Sequence, residues 1–280
     1  MTVSGNNEDT PRRRAKNWAQ KNKDMVALSP TPVLDPLDTP YDMKPPAEGL
    51  WSNPALRDAH LFLRVNRRRL RSMNRDGLYR RLRRGRMIFV HIPKNAGSSV
   101  SAGLYGDSPG HYSMQMYERV LPNAYLRNFP TFAILRDPRE RFASAFNYLK
   151  YKSTDPADRK FSEEVLSQFD TLSECIASLN DPKVFRKLFS WSHFCDQCQF
   201  IVNQENLLSC DFVFSMSRID LVEDFIESVT GRPIQVGHLN RSKDFEYNDL
   251  DWSIVEKIYA QDLALFQRAQ IGGLYTSHQR

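Results

Sequence analysis

A lysine, a turn of small residues and two serines follow an apolar run, and this combination can bind a phosphate-like anion. The segment reads MIFVHIPKNAGSS over Met87–Ser99, and its first residues predict a buried parallel strand. A helix that begins at this turn would present unpaired N–H groups and the positive end of its dipole. Gly97 lets the backbone approach an anion, and Lys94 adds a mobile charge. Ser98 and Ser99 are predicted to cap the helix and to donate hydroxyls.

The order of residues in this turn differs from that of a Walker A loop, in which the lysine follows the second glycine. Here Lys94 precedes Gly97 by three residues. A Walker lysine is also followed directly by a serine or threonine that binds Mg²⁺, and Asn95 occupies that position here. Both differences argue against a nucleotide kinase.

A second strand–turn–helix unit follows further along the chain. Residues 130–135 form an apolar run that predicts a buried strand ending at Arg136, and Pro138 suits the first turn of a helix. Arg136 offers a planar fork for a phosphate, and Ser144 offers a hydroxyl two turns into that helix. A third buried strand is predicted over Cys210–Ser215. Together these units predict an α/β fold with a parallel sheet, right-handed crossovers and ligands at the carboxyl ends of the strands.

The two motifs, in this order, resemble the donor-binding elements of sulfotransferases that use 3′-phosphoadenosine 5′-phosphosulfate (PAPS). The wording His-Ile-Pro-Lys-x-Ala-Gly-Ser-Ser is similar to the 5′-phosphosulfate loop of the carbohydrate branch, which includes the uronyl and heparan O-sulfotransferases. The segment Arg-Asp-Pro-x-x-Arg-x-x-Ser is similar to that family's element for the 3′-phosphate. The resemblance covers about residues 87–268. It implies a P-loop-like parallel sheet flanked by helices, with the sulfotransferase domain at residues 87–280.

The resemblance also implies particular site residues. The implied donor-binding residues are Lys94, Asn95, Ala96, Gly97, Ser98, Ser99, Arg136, Ser144, Arg241 and Ser242. The last two belong to residues 239–243, which resemble a segment that returns to the nucleotide. His111, in Gly-His-Tyr-Ser, resembles the segment that carries the catalytic base, although the relatives' His-Gly-His is Pro-Gly-His here. His193 has no motif around it.

The implied reaction is an in-line transfer of a sulfuryl group from PAPS to a hydroxyl of a glycan, with the desulfated nucleotide PAP as product. Lys94 would stabilise the charge that develops on the leaving oxygen. His111, neutral near pH 7, would accept the proton of the attacking hydroxyl. No metal is expected, because the lysine and the helix dipole supply the neutralising charge. His91, at the end of the strand, is expected to pack against the loop or orient it.

Positive charge is concentrated in the first third of the chain. Residues 1–86 contain 19 Lys and Arg against 9 Asp and Glu, whereas residues 87–280 contain 20 against 24. The high pI is therefore poor evidence for nucleic-acid binding by the core, and no specific nucleic acid is expected. Residues 1–53, rich in proline and polar residues, are predicted to form a disordered arm. Residues 54–86 are predicted to form a basic helical extension, broken near Asp76-Gly77.

Two interpretations of the basic extension remain open. Its arginines between residues 64 and 86 can contact a polyanion, or the helix can be solvated and pack its leucines on the domain. A different class of function goes with the first interpretation, namely a noncatalytic polyanion-binding protein built on a sulfotransferase scaffold. The acceptor, the sulfated position and the oligomeric state are not predicted.

The cysteine content argues against a zinc site, and the hydropathy argues against a membrane span and a signal peptide. Cys195 and Cys198 have metal-ligand spacing, but no second pair completes a tetrahedral site, so no zinc is predicted. No window approaches the ~20 apolar residues of a membrane span, and the N-terminus lacks the apolar core of a signal peptide. These features predict a cytoplasmic protein.

Overall fold

The computed structural model describes residues 9–28, 75–203, 207–236 and 249–276. The described strands are β1 (Met25–Leu28), β2 (Ile88–Val90), β3 (Thr131–Leu135), β4 (Phe212–Ser215) and β5 (Gly273–Thr276). The described α-helices are α1 (Pro11–Lys21), α2 (Arg75–Gly85), α3 (Gly97–Tyr105), α4 (Met114–Val120), α5 (Asn123–Asn128), α6 (Pro138–Tyr151), α7 (Pro156–Phe161), α8 (Leu172–Ala177), α9 (Pro182–Phe189), α10 (Cys198–Ile201), α11 (Ile219–Thr230), α12 (Ser253–Ile258) and α13 (Ala260–Ile271). A π-helical turn over Ser162–Leu166 continues α7.

The strands form one five-stranded sheet in the order β1-β5-β4-β3-β2. The neighbouring strands β2, β3 and β4 are parallel, which confirms the α/β class and the three strands predicted from apolar runs. The predicted parallel sheet is mostly parallel, since the one antiparallel pairing among the described strands is that of β5 with β4, and β5 is parallel to β1. β1 and β5 are only partly buried, unlike the fully buried β2, β3 and β4, so neither has a continuous apolar run that predicts a strand.

Alternate residues of the central strands point into two separate cores, one on each face of the sheet. Ile88, Val90 and Leu135 belong to the core that also contains residues of α4 and α13. Phe89 and Phe132 belong to the core on the other face, with residues of α3 and α11. All five residues of β3 are buried, as expected for a strand covered by helices on both faces. A third apolar cluster joins α6 to the helices between residues 156 and 189.

The N-terminal segment is part of this domain. Thr10 caps α1, and Trp18 packs on α11 with its ring centroid 5.1 Å from that of Phe225. Arg12 is buried and forms an ion pair with Asp211. The prediction of a disordered arm over residues 1–53 is therefore wrong for α1 and β1. Their partners lie about 200 residues away and leave no local signature. Residues 29–53 lie outside the described chain.

The basic extension is a helix where it is described. α2 begins at Arg75 and runs through Asp76 and Gly77, so the predicted break does not fall on these two residues, and whether it lies just before them stays a prediction. Leu78 and Leu82 are buried, so these two leucines pack on the domain, as one of the two interpretations of the extension expects. Arg80, Arg83, Arg84 and Arg86 are exposed, so the same helix presents charge to solvent. Residues 54–74 lie outside the described chain.

Among the residues that the structure describes, no helix combines the length and the apolar composition that a membrane crossing requires.

Candidate active site

The two motifs meet at one edge of the sheet. Strands β2 and β3 are adjacent and parallel, with Val90 opposite Ala133, so the residues that follow each strand emerge side by side. The contact between them is direct, because Arg136 Nη1 donates to the backbone oxygen of Lys94 at 3.4 Å. The two turns that were predicted to bind anions thus lie side by side and in contact.

The turn after β2 has an unusual backbone. Lys94 and Ala96 both have positive φ, at 70° and 58°, which costs about 1 kcal/mol each for a side chain other than glycine. Ala96 is the N-cap residue of α3, and the amides of Ser99 and Val100 bond to its carbonyl oxygen. The predicted capping by Ser98 or Ser99 is wrong, because no side chain caps this helix. The Ser98 side chain is exposed.

Gly97 is required by a close approach. A Cβ placed on Gly97 would lie 1.8 Å from Cδ2 of His91, so any larger residue collides with the imidazole. His91 is buried, and its burial, followed by the nearby His111 and Lys94, lowers its pKa well below the usual range. The expectation that His91 packs against the loop is confirmed.

Asn95 connects the loop to the interior instead of facing outward. Its amide nitrogen donates to Ile134 O at 2.7 Å and to Gln197 Oε1 at 2.6 Å. Gln197 in turn binds both backbone groups of Arg136. Its Oε1 accepts from Arg136 N at 3.0 Å, and its Nε2 donates to Arg136 O at 2.9 Å. The Asn95 side chain therefore holds the two turns together. Any contact of Asn95 with the predicted nucleotide would come from its backbone.

Lys94 reaches over an aromatic stack. Its Nζ lies 3.9 Å from the centroid of the Tyr148 ring, which is a cation–π distance. Tyr148 stacks on His193, with ring centroids 5.4 Å apart. Burial of the ammonium, followed by repulsion from Arg136, lowers the pKa of Lys94 to about 8. A lysine with this pKa loses its charge within the range in which enzymes are assayed.

One face of α6 points towards the loop. Arg141 is buried, and its guanidinium donates to Pro93 O at 3.1 Å, Cys195 O at 2.7 Å and Ser192 O at 3.3 Å. Arg141, Ser144 and Tyr148 are spaced by three and four residues, which places them on the same face of the helix. Arg141, one turn before Ser144, contacts Pro93 of the loop, and Tyr148, one turn after Ser144, contacts Lys94. Ser144 therefore lies on the face of α6 that is turned towards the loop, as its predicted contact with a phosphate requires.

His111 lies beside the loop in a defined tautomer. Its Nδ1 is 3.1 Å from the backbone oxygen of His91. A carbonyl oxygen can only accept, so Nδ1 carries a proton, and in the neutral imidazole the lone pair is then on Nε2. The ring is half-buried and lies 4.4 Å from the His91 ring and 5.9 Å from the His193 ring, between centroids. A general base at this position would use Nε2, because Nδ1 is engaged with the His91 carbonyl.

Sequence reasoning missed three residues of this site. Tyr148 carries the Lys94 ammonium, His193 supports Tyr148, and Gln197 joins the two turns. The sequence contains a partial signal for Gln197 alone, in the segment Phe-x-x-Gln-x-x-Phe-Ile that resembles the family pattern. The contacts of Tyr148 and His193 form only when α6 and residues 191–195 fold against the loop.

Two further predictions, on residues 239–243 and on the two neighbouring cysteines, stay predictions. Arg241 and Ser242 lie outside the described residues, so their predicted donor contacts stay predictions. Cys195 and Cys198 are buried free thiols. In residues 9–28, 75–203, 207–236 and 249–276, no three His, Cys, Asp or Glu side chains are grouped so that they could hold a metal ion. The prediction that the two cysteines bind no zinc awaits a metal analysis.

Comparisons of this chain with protein-family models, with curated proteins and with solved structures found no match.

Proposed function

We propose that this chain is a PAPS-dependent O-sulfotransferase that sulfates a carbohydrate hydroxyl. The observation that supports the proposal is the contact between the turns after two adjacent parallel strands, in which Arg136 donates to the carbonyl of Lys94. One turn supplies a lysine and a helix N-terminus, and the other supplies a guanidinium. A donor with anionic groups at two positions of one nucleotide matches that arrangement.

The residues present fit such a donor. The first-turn amides of α3 at Gly97 and Ser98 have no partner within the helix, and the Ser98 hydroxyl is exposed beside them. These groups and Lys94 would hold the phosphosulfate end. Arg136 and Ser144 would hold the second phosphate, with Arg136 already oriented by Glu140 at 3.1 Å. The contacts of Asn95 with Ile134 O, of Arg141 with Pro93 O and of Arg136 with Lys94 O hold the loop in its left-handed conformation without a ligand.

PAPS supplies a sulfuryl group, whose bond to the phosphate oxygen breaks as its bond to the acceptor oxygen forms. Lys94 would stabilise the negative charge left on the phosphate oxygen. His111 Nε2 would take the proton of the acceptor hydroxyl, since Nδ1 is already protonated and fixed by His91 O. Tyr148 would position Lys94, because its ring face holds the ammonium near the loop.

PAP affinity is expected to fall as the pH rises from about 7 to about 9. Lys94 has a pKa of about 8, lower than an ordinary lysine, so its ammonium is present below that pH and is lost above it. The loss of the charge at pH 9 should weaken PAP binding by up to about tenfold, as measured by calorimetric titration. The matched control is Lys94→Arg, whose guanidinium stays charged over this range. A wild-type affinity as flat with pH as that of the arginine variant would contradict the role of Lys94.

The proposed reaction is tested with sulfur-labelled PAPS and a panel of glycans. We expect label in at least one glycan and none in the same glycan incubated with Lys94→Ala. If the protein retains sulfated polymers but transfers no label to any acceptor and binds no PAP, the alternative of a noncatalytic polyanion-binding protein is correct.

A further inference from the structure

A cavity lined by arginines lies between α2 and the end of α3, apart from the donor site. Its volume is about 270 Å³. Arg80, Arg81 and Arg84 of α2 line it, together with Tyr105 and Asp107. Pockets for whole small molecules start at about 300 Å³, so this cavity suits a single charged group of a larger ligand.

The charges of the cavity are not balanced. Arg81 makes a two-pronged ion pair with Asp107, at 2.6 Å for both contacts. The hydrogen bond from Arg81 lowers the pKa of Asp107, and the charges of Arg80 and Arg84 act in the same direction. Asp107 is the only acidic side chain in the described lining. Two exposed guanidiniums, those of Arg80 and Arg84, therefore remain to attract an anion.

The backbone holds Arg84 at this position. Gly106 has a φ of 88°, and a Cβ built on it would lie 2.8 Å from Nη1 of Arg84, so the guanidinium packs directly on the glycine. The carbonyl oxygen of Arg84 accepts from Arg232 Nη2 at 2.6 Å, which ties α2 to the segment after α11. Contacts with Gly106 and Arg232 thus fix the position of Arg84 at the cavity.

The cavity is also connected to the proposed catalytic base. Asp107 and His111 are four residues apart, which limits their separation to about 14 Å of extended chain. Between them, Ser108 Oγ lies 3.4 Å from His91 Nδ1. A polymer with a hydroxyl at His111 would need only a few sugar units to place an anionic group in the cavity.

We propose that this cavity binds a sulfate or carboxylate group of a polyanionic glycan, at a distance from the hydroxyl that is modified. The inference deepens the proposed function and rests on it for the identity of the polymer. The arginine fork matches sulfate and carboxylate groups with paired hydrogen bonds. The cavity would thereby select acceptors that already carry charge a few units away from the reacting hydroxyl.

The test compares two variants of the full-length chain, Arg80→Ala/Arg84→Ala and the control Arg83→Ala. Arg83 is exposed on the same helix but lies outside the cavity lining. The probe is a heparin-derived oligosaccharide of defined length, with binding measured by calorimetry over a range of salt concentrations. We expect the double variant to bind roughly tenfold more weakly, with a shallower salt dependence, and Arg83→Ala to lose less than about twofold.

Equal losses in the two variants, or no loss in the double variant, would overturn the proposal. So would single-stranded DNA of similar charge that binds as tightly as the oligosaccharide and loses as much in the double variant. PAP titrations of the same proteins separate the two claims, because the cavity is apart from the donor site. If PAP fails to bind the wild type while the oligosaccharide result holds, the proposed reaction fails and the cavity remains a polyanion site.

Discussion

Replacing His111 with alanine is expected to lower the rate of sulfuryl transfer by about 10²–10⁴-fold. The reason is the orientation of the ring, whose Nδ1–H donates to His91 O at 3.1 Å. In the neutral ring, Nε2 would then take the proton of the attacking glycan hydroxyl. PAP affinity should be nearly unchanged, because a base acts on the acceptor and not on the nucleotide. The measurement is a turnover assay with labelled PAPS, together with a PAP titration of the same variant.

The matched control for this prediction is His111→Asn. The asparagine amide can still donate to the His91 carbonyl, but it cannot accept a proton as a base. We therefore expect the asparagine variant to be as slow as the alanine variant. Near wild-type turnover in His111→Asn would mean that His111 serves only to bond the turn, and the base would then be a different residue. His91→Ala, in contrast, should weaken PAP binding, since the His91 ring packs against Gly97.

Deletion of residues 1–28 is expected to lower the melting temperature by more than about 10 °C. The deletion uncovers apolar surface on α11 beneath Trp18, removes β1 from the sheet and leaves Asp211 buried without Arg12. Breaking a buried ion pair alone costs about 3–5 kcal/mol, and each kcal/mol lowers the midpoint of a chain of this size by about 2–4 °C. Thermal unfolding followed by circular dichroism measures the effect.

A pair of single variants isolates the contribution of the ion pair. Arg12 is buried against Asp211, whereas its neighbour Arg13 is exposed on the same helix. Arg12→Ala should destabilise the protein by several kcal/mol, and Arg13→Ala by less than about 0.5 kcal/mol. A truncated protein with an unchanged melting temperature would show that the N-terminal segment is dispensable, as the sequence alone suggested.

Short apolar runs made the centre of the fold predictable. The strands β2, β3 and β4 are buried on both faces, so their sequences are almost continuously apolar and can be recognised without knowledge of their neighbours. The turns after β2 and β3 follow from the same reasoning, since the ends of adjacent parallel strands lie at one edge. The sequence did not predict that α1 and β1 belong to the domain. The contacts of Arg12 with Asp211 and of β1 with β5 join distant parts of the chain and form only when it folds.

For the candidate site too, features of a single turn were predictable, and contacts between distant segments were not. Local motifs predicted Lys94, Gly97 and Arg136 as candidate site residues, because their proposed roles depend on the shape of single turns. The contact between the Asn95 side chain and Gln197, about a hundred residues away, was not predictable, because no local pattern shows it. The support of Lys94 by Tyr148 escaped notice for the same physical reason, since it depends on how α6 packs against the loop.

Binding of PAP to the intact protein is the most direct test of the central claim that two anion-binding turns form one nucleotide site. A calorimetric titration should show a single site, and PAP should raise the melting temperature because only the folded chain binds it. Lys94→Ala and Arg136→Ala should each reduce both effects, while Arg83→Ala, away from either turn, should leave them unchanged. A wild-type protein that shows neither heat of binding nor a shift in melting temperature at saturating PAP would contradict the account.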